Sequence, residues 1–143
     1  MKPALTFVRK NNMKIRNVLF ISLLALSIVS CDDDIFGPRS LEGTWRVTEE
    51  SEAFGRQTFI VGIGYFAGDS SRVLIGNFSN LDLGVEVVAN VQGLSLTIDQ
   101  QTVRGRGGSY RISGSGTATS NLRRINWTYR IDGANYTAVF DKN

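Results

Sequence analysis

From Leu41 to the C-terminus, apolar and polar residues alternate with a period of two. Glycine, asparagine and aspartate separate the alternating runs, the pattern of antiparallel strands joined by tight turns. No stretch carries a helical period. The alternation predicts eight strands. The first is Thr44 to Glu49, with Trp45 and Val47 on one face, and the second is Gln57 to Phe66, with Phe59, Val61, Ile63 and Tyr65 alternating. Arg72 to Phe78, Val85 to Val91 and Leu94 to Asp99 follow, the last with Leu94, Leu96 and Ile98 inward. Tyr110 to Thr119 is the sixth. Arg124 to Asp132 is the clearest, with Ile125, Trp127, Tyr129 and Ile131 on one face and Asn126, Thr128, Arg130 and Asp132 on the other. Asn135 to Asp141 closes the series, with Tyr136, Ala138 and Phe140 inward. Gln92-Gly93 and Asp132-Gly133 read as hairpin turns.

Eight strands with short links form a meander. An open meander leaves two free edges, and free edges invite aggregation. The expected fold is therefore all-β: a small, closed, eight-stranded antiparallel up-and-down barrel over residues 41–143. A two-sheet sandwich uses the same alternation and is the alternative. Gly62, Gly64, Gly76, Gly114 and Gly116 fall inside strands, where glycine weakens pairing but permits the bends that closure needs. On the interior face, Trp45, Phe59, Tyr65, Trp127, Tyr129, Tyr136 and Phe140 either fill the core or line an apolar pocket. Gly114, Gly116 and Ala118 on the neighbouring strand either leave a cavity or receive those rings.

Leu41-Glu42-Gly43-Thr44-Trp45 opens the first strand. A Gly-x-Trp at this place in an eight-stranded meander resembles the lipocalin family and its wider calycin group. The resemblance implies that Trp45 plugs the closed end of the barrel and that an arginine late in the chain packs over it; Arg124 and Arg130 are the candidates. The later lipocalin motif with aspartate and tyrosine is not recognisable, and the chain and its loops are shorter. The whole mature region resembles small lipocalin-like lipoproteins of Bacteroidota, through Ile75-Gly76-Asn77-Phe78, Ile112-Ser113-Gly114-Ser115-Gly116 and Ile125-Asn126-Trp127-Thr128-Tyr129.

The N-terminal part has a different pattern. Lys14 and Arg16 precede an apolar run from Val18 to Val29, broken only by Ser22 and Ser27, and Ser30-Cys31 ends it. A basic n-region, a short apolar h-region and a small residue form a secretory signal. The run is shorter than the roughly 20 residues a spanning helix needs. Ile28-Val29-Ser30-Cys31 resembles the bacterial lipobox, which implies removal of residues 1–30 and acylation of Cys31. Two or three acyl chains anchor almost permanently, whereas one does so marginally. Asp32-Asp33-Asp34 resembles the surface-export signal of Bacteroidota lipoproteins. Residues 31–40 then form a lipidated tether. The expected location is the outer membrane or cell surface. Met13 and Met1 are both candidate starts.

Cleavage changes the charge. Five of the sixteen basic residues (Lys2, Arg9, Lys10, Lys14, Arg16) precede Cys31, so eleven remain against thirteen acids and the mature chain carries −2. The basic whole-chain balance reports the targeting segment, not an affinity for nucleic acid. About 110 residues remain, one ordinary domain with a core of its own.

The chain contains no histidine, the usual base near neutral pH and the commonest transition-metal ligand. Acylation of Cys31, the single cysteine, leaves no thiolate. Glu49, Glu50 and Glu52 cluster at a strand end, where solvated charge is the expectation. Asp69, Asp82 and Asp99 are scattered and spell no calcium loop. Arg104, Arg106, Arg111, Arg123 and Arg124 read as solubilised loops, or as an anion or polysaccharide patch if they converge. The composition leads us to expect no metal, no cofactor and no catalysis. The expected function is a non-catalytic binding or interaction barrel, held at a membrane by its lipid, with an envelope protein or surface glycan as partner. A carrier of a small apolar ligand in a lipocalin-type cavity is the alternative.

Overall fold

The computed structural model describes residues 40–143. Cys31, Asp32, Asp33, Asp34 and the segment ahead of them lie outside the described residues. Eight strands follow in order: β1 (Gly43–Ser51), β2 (Gly55–Phe66), β3 (Asp69–Gly76), β4 (Glu86–Gln92), β5 (Ser95–Gly105), β6 (Gly108–Ala118), β7 (Arg124–Ile131) and β8 (Ala134–Lys142). Each pairs antiparallel with its neighbours in sequence, and β8 returns to pair with β1 from Trp45↔Lys142 to Ser51↔Tyr136. The fold is a closed eight-stranded up-and-down barrel, as the alternation and the Gly-x-Trp opening imply. The β1–β8 ladder excludes the sandwich.

Hydrophobic residues on alternate positions fill the interior, and the regularity of β7 shows the cause. Ile125, Trp127, Tyr129 and Ile131 are all buried, and the residues between them are all exposed. Asp132 and Gly133 form the predicted two-residue turn, both with positive φ (49° and 91°), which matches the twist of the flanking strands. In the β4–β5 hairpin the turn lies one residue later than expected. Gln92 pairs with Ser95, so Gly93 and Leu94 are the central residues, and Leu94 is exposed, not inward.

The barrel has two different ends. At the closed end, where β1 begins and β8 finishes, Leu41 and Trp45 are buried and the Trp45 indole N–H donates to the Leu41 carbonyl oxygen at 2.9 Å. The cation over that indole is Lys142, with Nζ 5.5 Å from the ring centroid. Neither Arg124 nor Arg130 takes this place. Arg124 pairs with Asp141 at 2.6 Å, and Arg130 donates to the Gly133 carbonyl at the other end of the barrel. Lys142 succeeds because β8 pairs Lys142 with Trp45 itself.

At the opposite end, the mouth, the β3–β4 connection folds across the opening. Strand β3 stops at Gly76, two residues short of the expected limit, and Phe78–Asn80 form a single 3₁₀ turn. Asn77, Ser79 and Asn80 take left-handed φ values of 58°, 51° and 52°. The turn drops the Phe78 ring, fully buried, into the barrel against Tyr129, centroids 4.7 Å apart. Strand β5 is longer than its alternation suggests, because the register with β6 shifts between Ile98 and Gln101.

Candidate functional site

Strand β1 turns Trp45, Val47 and Glu49 to the interior, because alternate residues of a strand share a face. Glu49 is therefore not the solvated charge expected at a strand end. It is 2% exposed, the one polar side chain in the buried set among the described residues. Glu50 and Glu52 remain on the outside, and Glu50 lies 4.0 Å from Arg56. Sequence contained the signal for Glu49, since its position matches the parity of Trp45 and Val47. The charge of the side chain argued the other way.

A buried carboxylate is costly unless hydrogen-bonded. Here two hydroxyls meet the cost. Tyr129 donates its phenolic O–H to Glu49 Oε2, and Ser79 donates its hydroxyl to the same oxygen at 2.8 Å. Both are charge-assisted bonds, stronger than neutral ones. Burial, with the Glu49 charge second, pushes the Tyr129 phenol well above its usual range. It stays protonated and remains a donor. The Tyr136 phenol is also pushed up, first by burial and then by Glu49 and Asp132. The two tyrosine rings stack nearly parallel, 7° apart in plane and 5.4 Å between centroids.

Above this floor lies a pocket of about 250 Å³ at the mouth, lined by Glu49, Phe54, Gln57, Ser79, Asn80, Leu81, Tyr110 and Tyr136. Six separate segments build it: β1 supplies the carboxylate, the β1–β2 link supplies Phe54, β2 supplies Gln57, the β3–β4 connection supplies Ser79 to Leu81, and β6 and β8 supply the tyrosines. Ser79 holds its left-handed backbone against the usual steric cost, and from there its hydroxyl reaches Glu49. Such strain gathers at functional positions.

Three larger hollows lie elsewhere: two, about 400 and 350 Å³, on the outer face over β1, β2, β7 and β8, which share Glu50, Arg56, Thr128 and Thr137, and one of about 320 Å³ over β3, β4 and β5, lined by Ser71, Asn90, Thr97 and Asp99 among others. They are open troughs between exposed side chains. The mouth pocket is smaller but has a fixed, buried, ionisable group at its base, and is the better site.

The seven aromatic residues expected as core or pocket divide unevenly. Trp45, Phe59, Trp127, Tyr129 and Phe140 are core, and Tyr65 packs against it half-buried. Tyr136 is both core and pocket wall. Of the β6 glycines, Gly116 receives the Trp127 ring and Gly114 lies against the Tyr129 Cβ and backbone, so neither leaves a hollow in front of it. Gly114 pairs with Tyr129 and Gly116 with Trp127, and a Cβ on Gly116 would lie 2.6 Å from Trp127 Cδ2. The arginines do not converge. Arg104 and Arg106 sit at the β5–β6 turn at the mouth, with Arg111 nearby on β6 beside Asp132, and Arg123 and Arg124 sit at the β6–β7 turn at the closed end. Phe54, Gln57, Asn80 and Tyr110 were not foreseen as neighbours. They meet through barrel closure and the folded-over connection, and local pattern reveals neither.

No family model matches the chain. No curated protein matches it either. Among solved structures it is similar to a redesigned β-barrel, with 17% identity and a TM-score of 0.49 over 72% of this chain and 91% of that one. It is also similar to a de novo designed fluorescence-activating β-barrel, with 13% identity and a TM-score of 0.44 over 71% of this chain and 93% of that one.

Proposed function

We propose that the protein is a lipid-anchored envelope lipoprotein whose lipocalin-like barrel binds a small ligand at its mouth, without catalysing a reaction on it. The observation that carries the binding reading is Glu49, buried at the base of a pocket and held by two hydroxyl donors. A carboxylate placed so deep is expensive to the fold, and a ligand-binding role accounts for its retention. The absence of histidine and of a free thiol from the mature chain supports a non-catalytic role. The anchor reading rests on the basic, apolar and lipobox sequence ending at Cys31, followed by Asp32-Asp33-Asp34 as an export signal of the Bacteroidota type. Ser40, the first described residue, lies at the closed end of the barrel, where its carbonyl accepts from Lys142 Nζ. A carrier of a larger apolar ligand needs interior room that Trp127, Tyr129, Phe140 and Phe78 occupy.

Two measurements test this. Cys31→Ala abolishes palmitate labelling and releases the protein from membranes; persistence of the label defeats the anchor. Native mass spectrometry of protein extracted from its own membrane shows a small bound mass, lost in a Tyr136→Trp variant that fills the mouth. Equal adducts in both proteins, or none in either, defeat the mouth as the binding site.

A further inference from the structure

We propose that the mouth pocket takes a small organic ammonium ion, its N–H groups directed to the Glu49 carboxylate and its carbon skeleton lying against Phe54, Tyr110 and Tyr136. This rests on the mouth being the binding site and names the chemistry of its occupant.

The first argument is a half-used carboxylate. An ionised carboxylate has about four lone-pair sites on two oxygens. Tyr129 and Ser79 both address Oε2. Among the described residues no donor reaches Oε1, although Glu49 lines the pocket. Oε1 is not among the buried atoms left without a partner, so it faces the pocket's solvent and is open to a donor from an occupant.

The second argument is charge. Among the described residues that line the pocket, Glu49 alone is an acid or a base, apart from Tyr110 and Tyr136 with their weakly acidic phenols. No lysine or arginine stands in the lining to neutralise the carboxylate. An anionic ligand would be repelled. A neutral apolar ligand would displace solvent from Glu49 Oε1 and give nothing back, leaving two hydroxyl bonds but no counter-ion to the charge. A cation resolves both problems.

The third argument concerns the kind of cation. Calcium needs six to eight oxygen ligands, and among the described residues no group of three acidic, histidine or cysteine side chains is assembled to hold a metal. One carboxylate suits a monovalent ion. The walls are aromatic, and ring faces attract ammonium groups. Phe54 is 68% exposed at the rim, an apolar cost to the free protein that a hydrocarbon-bearing ligand would relieve. The amides of Gln57 and Asn80 and the Tyr136 hydroxyl offer further acceptors for a group with several N–H donors. The volume of about 250 Å³ falls below the roughly 300–1,000 Å³ of ordinary ligand pockets, so the skeleton is short.

The test titrates the full chain, purified in detergent, with n-butylammonium and separately with n-butanol, following the amide resonances of Gln57, Ser79 and Tyr136. Saturable shifts with the ammonium ion, and binding of the alcohol weaker by about tenfold or more, are expected from the loss of a charge-assisted bond. Glu49→Gln should weaken the ammonium ion by a similar factor and leave the alcohol unchanged. Equal binding of the two probes to the wild-type chain, or no binding of the ammonium ion, overturns the proposal without any variant having to fold. A native ligand that proved anionic or neutral, yet seated at the mouth, would overturn the ammonium assignment and leave the binding site standing.

Discussion

Gly116 lies directly across β6–β7 from Trp127, and the indole occupies the volume that any side chain on Gly116 would need. The relationship fixes how the barrel wall is packed, because the ring lies flat over backbone. A Cβ at this position would meet three indole carbons at 2.6 to 2.9 Å, and the indole is buried in the core. Gly116→Ala should therefore destabilise by about 1–3 kcal/mol, the cost of overpacking a filled core. Gly62 is the control. It also sits within a strand, outside the positive-φ set, but a Cβ there meets nothing within 4 Å. Gly62→Ala should be neutral or stabilising by about 0.4–1 kcal/mol, through the unfolded chain. Urea unfolding of the two variants tests the ranking, and equal midpoints would show that the glycines serve bending alone.

Ser79 combines a strained backbone with a bond to Glu49, and two substitutions separate these effects. Ser79→Ala keeps the left-handed strain and removes one of the two donors to a buried carboxylate, a loss of about 1.5–3 kcal/mol. Ser79→Gly removes the same donor but relieves a steric cost of about 1–2 kcal/mol. The expected order of stability is wild type, then glycine, then alanine. Thermal melts giving alanine the higher midpoint would mean that the left-handed conformation carries no cost here.

Much of the barrel was legible because period-two alternation survives wherever a strand faces the core on one side and water on the other. Strand β7 obeys this without exception, and its boundaries agree with the pattern to within one residue. Legibility failed where another interaction outweighed the alternation. Phe78 is out of phase with Val73 and Ile75, the inward residues of β3, and Asn77 and Ser79 turn left-handed around it, so it plugs the mouth and does not extend the strand. Strand β5 passes through a bulge at Asp99-Gln100, where polar residues carry no pattern to follow. The arginine cluster failed for a geometric reason. The turns flanking β6 are separated by its eleven residues at about 3.4 Å each, so neighbours in sequence become opposite poles. Glu49 was the most informative miss. Its parity was readable, but nothing local showed that Tyr129 and Ser79 would meet it.

The β2–β3 turn should respond to acid through Asp69. Its carboxylate accepts from the Ser71 hydroxyl at 2.5 Å, the Ser71 N–H at 2.9 Å and Arg72 Nε at 2.6 Å. These bonds, the Ser71 hydroxyl foremost, hold its pKa at about 2, below the usual 3.8. The folded value is the depressed one, so its contribution to stability is present above about 3.8 and fades as pH falls through about 2. Carboxyl NMR titration should show the midpoint rising in both Ser71→Ala and Arg72→Met, and further in Ser71→Ala. A larger rise in Arg72→Met would make the guanidinium the leading cause.

Gln101 closes a gap in the barrel wall with its side chain. Strands β4 and β5 keep register only from Asn90↔Thr97 to Gln92↔Ser95. Beyond that the bulge carries β5 away, and the Val88 peptide groups face a missing partner. The Gln101 amide supplies both halves: Oε1 accepts the Val88 N–H at 3.0 Å, and Nε2 donates to the Val88 carbonyl at 2.8 Å. A primary amide alone fits, since it presents a donor and an acceptor side by side, as a strand would. Gln101→Ala should leave two half-buried backbone groups unpaired and cost about 1–3 kcal/mol. Gln101→Glu keeps the acceptor but sets a second oxygen against the Val88 carbonyl, so it should not restore stability. Hydrogen exchange at the Val88 amide gives the direct reading, with protection falling sharply in alanine while the Asn90 and Gln92 amides hold. Unchanged protection at Val88 would show that the wall closes there without the side chain.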